Sequence, residues 1–230
     1  MSTEDRGWPP AVKVCGLTRL QDVEVAVEAG ADYLGAILAP GYRRSVTAGA
    51  AGVMFRSFQA RTVGVFVDGD EDARLAAAAE AGLHVVQLHG DETPEMADRV
   101  RRAGYEVWKA VRVRHADDAA EALRRYAGAV DALLLDGYDP AAAGGTGTRF
   151  DWGAVAARLG GRPDGIRLVA AGGLRPENVA EAAMTLRPDA VDVSSGVESA
   201  PGIKDAMAVR RFIDAVRALP FPIQSEQDRS

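Results

Sequence analysis

Residues 71–90 read EDARLAAAAEAGLHVVQLHG, and this stretch decides the fold. Glu71 to Glu80 is an alanine-rich run of good helix formers, Ala81-Gly82 supplies the glycine that closes a helix in the left-handed conformation, and His84 to His89 is a short apolar run of strand length. The same Ala-Gly stop recurs at Ala29-Gly30, Ala103-Gly104 and Ala127-Gly128, each a few residues before another apolar run. Working outward, the candidate strands are Val12 to Cys15, Tyr33 to Leu38, Thr62 to Val67, His84 to His89, Glu106 to Val111, Ala132 to Asp136, Ile166 to Ala171 and Ala190 to Ser194, eight in all. Strands that alternate with helices build a parallel sheet. With no Ser/Pro-rich linker to divide the chain, eight such units form most simply one closed (β/α)8 TIM barrel over residues 11–219, flanked by flexible tails at 1–10 and 220–230. A doubly wound open sheet would carry a G-x-G-x-x-G turn after its first strand, where this chain has Cys15-Gly16-Leu17-Thr18. Helix starts are expected at Thr18 with Gln21 as a capping box, at Thr93-Pro94, and at Asp151.

The composition sets the chemical limits. The 230 residues are 47% apolar and 26% charged, an ordinary globular balance, and α/β barrels spend this length on one core. One cysteine excludes an internal disulfide and any multi-cysteine metal site, and it fits a reducing compartment. A net charge of -6 without a basic run argues against nucleic acid as a partner. The polar N-terminus and the lack of a long apolar stretch argue against a signal peptide or membrane span, so a cytoplasmic protein is expected.

In such a barrel the active site lies where the strands end. The first strand ends Lys13-Val14-Cys15-Gly16, the fourth Gln87-Leu88-His89-Gly90, the sixth Leu135-Asp136 and the eighth Asp192-Val193-Ser194-Ser195-Gly196. Alternation puts Lys13 with Cys15, Gln87 with His89, and Asp192 with Ser194 on one face, expected toward the barrel mouth, with the residues between them toward the helices. By type alone Cys15 is a small buried hydrophobe; its place beside Gly16 and before a helix N-terminus that favours a thiolate points to function. Asp136 either caps a loop or, closing the apolar run Ala132 to Leu135, holds a proton. His89 either satisfies a loop or touches a ligand, and no ligand cluster at metal spacing accompanies it, so no metal is expected. Gly172-Gly173 and Ser194-Ser195-Gly196 fall in consecutive units where barrels bind phosphate through backbone N–H groups. Gly144 to Gly147 suits a lid or a plain connector, and Arg44 offers a planar fork to a carboxylate.

Taken in order, Lys13-Val14-Cys15-Gly16, Arg44-Ser45-Val46, Val63-Gly64-Val65-Phe66, Gln87-Leu88-His89-Gly90, Gly144 to Gly147 with Phe150-Asp151-Trp152, Ala171-Gly172-Gly173-Leu174 with Pro176 and Asn178-Val179, and Asp192 to Glu198 with Pro201-Gly202 and Lys204-Asp205 resemble the phosphoribosylanthranilate isomerase family of tryptophan biosynthesis, over about residues 11 to 217. The resemblance implies an Amadori rearrangement of N-(5-phosphoribosyl)anthranilate to 1-(2-carboxyphenylamino)-1-deoxyribulose 5-phosphate, with no cofactor. It also implies Asp136 as general acid, Cys15 as general base, Arg44 on the anthranilate carboxylate, the loops at Gly172, Gly173, Ser194, Ser195 and Gly196 on the phosphate, and His89 and Asp192 lining the pocket. Two positions depart from the family's pattern: Gly137 stands where a hydroxyl residue is more common, and Ala36 to Ala39 lacks the usual aromatic residue. The rivals are the related histidine-pathway isomerase, which resembles a pair of aspartates rather than a cysteine and an aspartate, and a silent phosphosugar-binding barrel, which needs neither Cys15 nor Asp136. The expected partner is a small phosphosugar, with the chain a monomer or homodimer.

Overall fold

Strand and helix alternate along the chain as β1 (Ala11–Val14), α1 (Leu20–Glu28), β2 (Tyr33–Ile37), α2 (Ala48–Phe55), β3 (Arg61–Phe66), α3 (Glu71–Glu80), β4 (Val85–Leu88), α4 (Pro94–Arg102), β5 (Glu106–Val113), α5 (Ala116–Tyr126), β6 (Ala132–Gly137), α6 (Trp152–Leu159), β7 (Arg167–Ala170), α7 (Val179–Leu186), β8 (Ala190–Val193) and, last, α8 (Ala206–Arg217). The computed structural model describes residues 8–137, 150–160 and 165–221. Neighbouring strands pair in parallel and in chain order, and β8 closes on β1 to complete the expected (β/α)8 barrel. Between β8 and α8 the chain inserts a 3-10 turn (Ser195–Val197) and an antiparallel ribbon of β9 (Glu198–Ala200) and β10 (Ile203–Lys204), neither of which the periodicity announces.

Side-chain alternation splits the core into two layers. Val12, Val14, Leu133 and Leu135 face the helices, whereas Val63, Val85, Trp108, Leu134 and Val169 fill the barrel itself. Inside, Tyr33 and Trp108 meet edge to face at 4.9 Å, and at the start of β5 the Glu106 carboxylate gathers Arg61, Arg167 and the Trp108 indole. That cluster closes the floor of the barrel, leaving the carboxyl ends of the strands as the working face.

The punctuation read from sequence holds at most helix ends. Gly30, Gly82, Gly104 and Gly128 all have positive φ, Thr93 accepts from Met96 N–H ahead of Pro94, and Asp151 accepts from Ala154 N–H at 2.9 Å. The capping box expected at Thr18 and Gln21 does not form. Arg19 stands at the N-cap with no side-chain cap, and the Thr18 hydroxyl instead donates to the Gly202 carbonyl at 2.7 Å, tying the end of β1 to the ribbon. β5 runs two residues beyond its expected end, because Arg112 and Val113 pair with Asp136 and Gly137 of β6. Of the tails, residues 8–10 and 220–221 are described, and the Trp8 indole donates to the Pro220 carbonyl at 2.9 Å. The lid expected at Gly144 to Gly147 lies outside the described residues.

Candidate active site

β1 and β8 build the first wall. Their register places Lys13 opposite Asp192, and the ammonium and carboxylate meet at 2.9 Å. Lys13 shares the inward face of β1 as expected, yet it does not reach the mouth. It is 0% exposed, as Gln87 is 1% exposed, and both lie inside the barrel beneath the rim. The other Asp192 oxygen, Oδ1, is buried and has no hydrogen-bond partner among the described residues. An ionised acceptor left unpaired in the interior is costly, so it is suited to an N–H or O–H donor on a ligand.

Cys15 follows β1 directly, and its N–H donates to the Val193 carbonyl at 2.8 Å, fixing the residue against β8. Burial is the largest influence on the thiol and pushes it up; the Lys13 charge pulls it back, while Asp192 pushes it further up. α1 begins at Leu20, one residue later than expected, and the cation that most favours the thiolate is Lys13.

The second wall comes from β4, β6 and β7. Asp136 Oδ2 lies 3.3 Å from His89 Nε2, and His89 Nδ1 lies 2.9 Å from Gln87 Nε2. The ring thus bridges the Gln87 amide and the Asp136 carboxyl. His89 therefore touches the expected acid rather than a plain loop. Gly172 completes this wall with φ +76, and a Cβ built there would stand 2.2 Å from Gly137 N and 2.8 Å from Asp136 Oδ1. Gly172→Ala is therefore expected to displace the Asp136 carboxyl and to lower kcat at least as much as it raises KM, as measured by steady-state kinetics. Next to it, the Asn178 amide donates to the Gly173 carbonyl at 2.9 Å and its oxygen accepts from Arg175 N–H at 2.8 Å, which fixes the turn after β7.

Arg44 lies in the loop after β2, and its stem crosses the end of β1 over Gly16, where a Cβ would be 2.7 Å from Arg44 Cδ and 2.9 Å from Ser194 Oγ. Its guanidinium is already half used. Nε and Nη2 donate to the two oxygens of Glu198 at 2.7 Å each, and Lys204 Nζ donates to the same carboxylate at 2.8 Å. Two cations hold Glu198 below the usual carboxylate range against its burial. A guanidinium has five N–H donors, so the edge that includes Nη1 is not engaged by Glu198. Lys204 also donates to the Ser194 carbonyl at 3.1 Å, anchoring the turn in which Ser195 and Gly196 open the short 3-10 segment after β8. Cys15, Arg44, His89, Asp136, Gly172, Asp192 and the turn after β8 are thus brought together at the carboxyl ends of the strands, with Lys13 and Gln87 beneath them.

A family model described as N-(5'phosphoribosyl)anthranilate (PRA) isomerase matches residues 12–215. The chain belongs to the phosphoribosylanthranilate isomerase family. Among its relatives, the N-(5'-phosphoribosyl)anthranilate isomerase of Geobacter sp. (strain M21) is 47% identical over 211 residues, covering 90% of this chain and 98% of the relative. The crystal structure of phosphoribosyl anthranilate isomerase from Thermotoga maritima superposes with a TM-score of 0.81 at 37% identity, covering 91% of this chain and 100% of that one. A phosphoribosyl anthranilate isomerase solved in complex with reduced 1-(o-carboxyphenylamino)-1-deoxyribulose 5-phosphate has a TM-score of 0.78 at 35% identity, with 91% and 100% covered.

The partners that hold these side chains in place could not be read from the sequence. Glu198 and Lys204 were legible only as parts of a motif, and nothing in the sequence pairs Glu198 with Arg44, 154 positions away. Lys13 did carry a signal, since it sits two residues before Cys15 on the same strand face.

Proposed function

We propose that the chain catalyses the Amadori rearrangement of N-(5-phosphoribosyl)anthranilate to 1-(2-carboxyphenylamino)-1-deoxyribulose 5-phosphate in tryptophan biosynthesis, with Asp136 as acid and Cys15 as base. The observation that carries the assignment is the placement of a carboxyl at the end of β6 and a sulfur at the end of β1 on one barrel rim, the carboxyl in contact with His89 and the sulfur beside Lys13. Asp136 gives its proton to the ribose ring oxygen as the bond from that oxygen to C1 breaks, and the nitrogen lone pair forms the C1–N double bond. The Cys15 thiolate then takes the proton from C2; the C–H pair becomes the C1–C2 double bond and the nitrogen recovers its lone pair. The enol ketonises by losing its hydroxyl proton and gaining one at C1, so the sequence is a net isomerisation with no oxidant or reductant.

Asp192 Oδ1, buried and unpaired, is suited to accept from a donor on the reacting sugar or its nitrogen. The turns at Gly172-Gly173 and Ser194-Ser195-Gly196 offer backbone N–H groups to the phosphate. The unengaged edge of Arg44 suits the anthranilate carboxylate, and Glu198 and Lys204 fix the direction in which that edge faces. Lysine cannot reproduce the fork, so Arg44→Lys is expected to raise KM about tenfold or more with a smaller change in kcat, the worth of a lost charge-assisted pair of hydrogen bonds. A steady-state assay that follows N-(5-phosphoribosyl)anthranilate fluorescence, run beside the aminoimidazole ribotide of the histidine pathway, tests the reading. Turnover of the first substrate is expected, and turnover of the second alone would overturn it.

A further inference from the structure

Five charged side chains from five different segments surround Cys15. Lys13 comes from β1, Asp192 from β8, Lys204 from β10, Arg44 from the loop after β2, and Glu198, which binds both Arg44 and Lys204, from β9. Formally these are three cations and two carboxylates. The group therefore carries one positive charge in excess, and it becomes neutral only when the sulfur is a thiolate. Interior charge is better tolerated when it is balanced, so the surrounding charges offset part of the burial that holds the Cys15 thiol up.

Of the three cations Lys13 is placed to matter most. It is fully buried, and β2 contributes Gly35 at the point where the lysine and the sulfur come together. A Cβ on Gly35 would stand 3.0 Å from both Cys15 Sγ and Lys13 Cε, so no side chain separates them. Arg44 and Lys204 share the single Glu198 carboxylate and are turned toward it, whereas Lys13, though paired with one Asp192 oxygen, lies against the sulfur itself. We propose that Lys13 is a positioning residue of the reaction, the buried counter-ion of the Cys15 thiolate, held in place by Asp192. The inference rests on reading Cys15 as the base. The ammonium is in turn stabilised: burial lowers it, but Asp192 and then Cys15 raise it, and the net direction is upward. The effects on the sulfur have opposite signs, Lys13 and the more distant Lys204 favouring the thiolate while Asp192 and burial oppose it.

The signs make the test specific. Because Cys15 is the only cysteine, thiolate absorbance near 240 nm, corrected with the Cys15→Ser form of each protein, reports this one group without substrate. In Lys13→Gln the midpoint of the titration is expected to move up by about one pH unit or more, and the rise of kcat/KM with pH to move with it. In Asp192→Asn the midpoint is expected to move down, since the lysine remains and the repelling carboxylate is gone. A folded Lys13→Gln protein, judged by circular dichroism, with an unmoved midpoint overturns the proposal. Should that variant not fold, Asp192→Asn decides: a midpoint that stays or rises overturns it, and one that falls supports it. Wild-type turnover in Cys15→Ala would refute the base assignment instead, a separate failure read in a separate assay.

Discussion

Cys15→Ala and Asp136→Asn each lower kcat for N-(5-phosphoribosyl)anthranilate by about a hundred- to ten-thousand-fold, the usual worth of a positioned base or acid, while KM changes little. The reason for the split is that both groups act on protons that move only in the transition state, so their loss removes stabilisation that the bound substrate never received. Neither substitution should disturb the frame. Cys15 is held through its backbone N–H to Val193 rather than through its sulfur, and Asp136 is fixed in β6 by pairing with Arg112, while an asparagine side chain keeps polar atoms within reach of His89. Steady-state kinetics on purified variants check the result. Full turnover in either removes that residue from the proposed chemistry.

The second large effect is on stability and lies one turn away from the site. Glu92 and Lys109 form an ion pair at 3.1 Å whose side chains are 0% and 4% exposed. Glu92 also accepts from Asp68 N–H and Gly90 N–H at 2.9 Å each, Lys109 donates to the Gly90 carbonyl at 2.6 Å, and the Tyr126 hydroxyl donates to the Glu92 carbonyl at 2.7 Å. This pair therefore pins together the turns after β3 and β4, including the turn that carries His89. Burial pulls Lys109 below its ordinary range and Glu92 opposes that pull. Removing one partner strands the other, so Lys109→Met is expected to cost about 3–5 kcal/mol. Arg99→Ala breaks an exposed pair with Glu71 and is expected to cost at most about 1 kcal/mol. Denaturant unfolding of the two variants, compared through their midpoints at constant m, measures the difference.

The barrel could be read from sequence because its signals are local. A glycine after each alanine-rich run marks a helix end wherever it stands, and an apolar run of strand length needs no distant partner to be recognised. The residues that end strands were legible for the same reason, which is how Cys15, His89, Asp136 and Asp192 could be singled out. Their mutual geometry was not legible, because it is set by closure. Lys13 meets Asp192 across 179 positions only because β8 returns to β1 in a particular register, and a shift of one residue would have turned the carboxylate away. The Thr18 hydroxyl was likewise not legible as anything but a helix cap, because its acceptor, the Gly202 carbonyl, lies 184 positions along the chain.

The central claim, that Cys15 takes the proton from ribose C2, is tested most directly by following that hydrogen. With substrate deuterated at C2 and a single turnover in ordinary water, the wild-type protein is predicted to release the label from C2 at the rate of product formation, with a primary isotope effect, and Cys15→Ala to retain it. Release from C2 at the wild-type rate in Cys15→Ala would contradict the account.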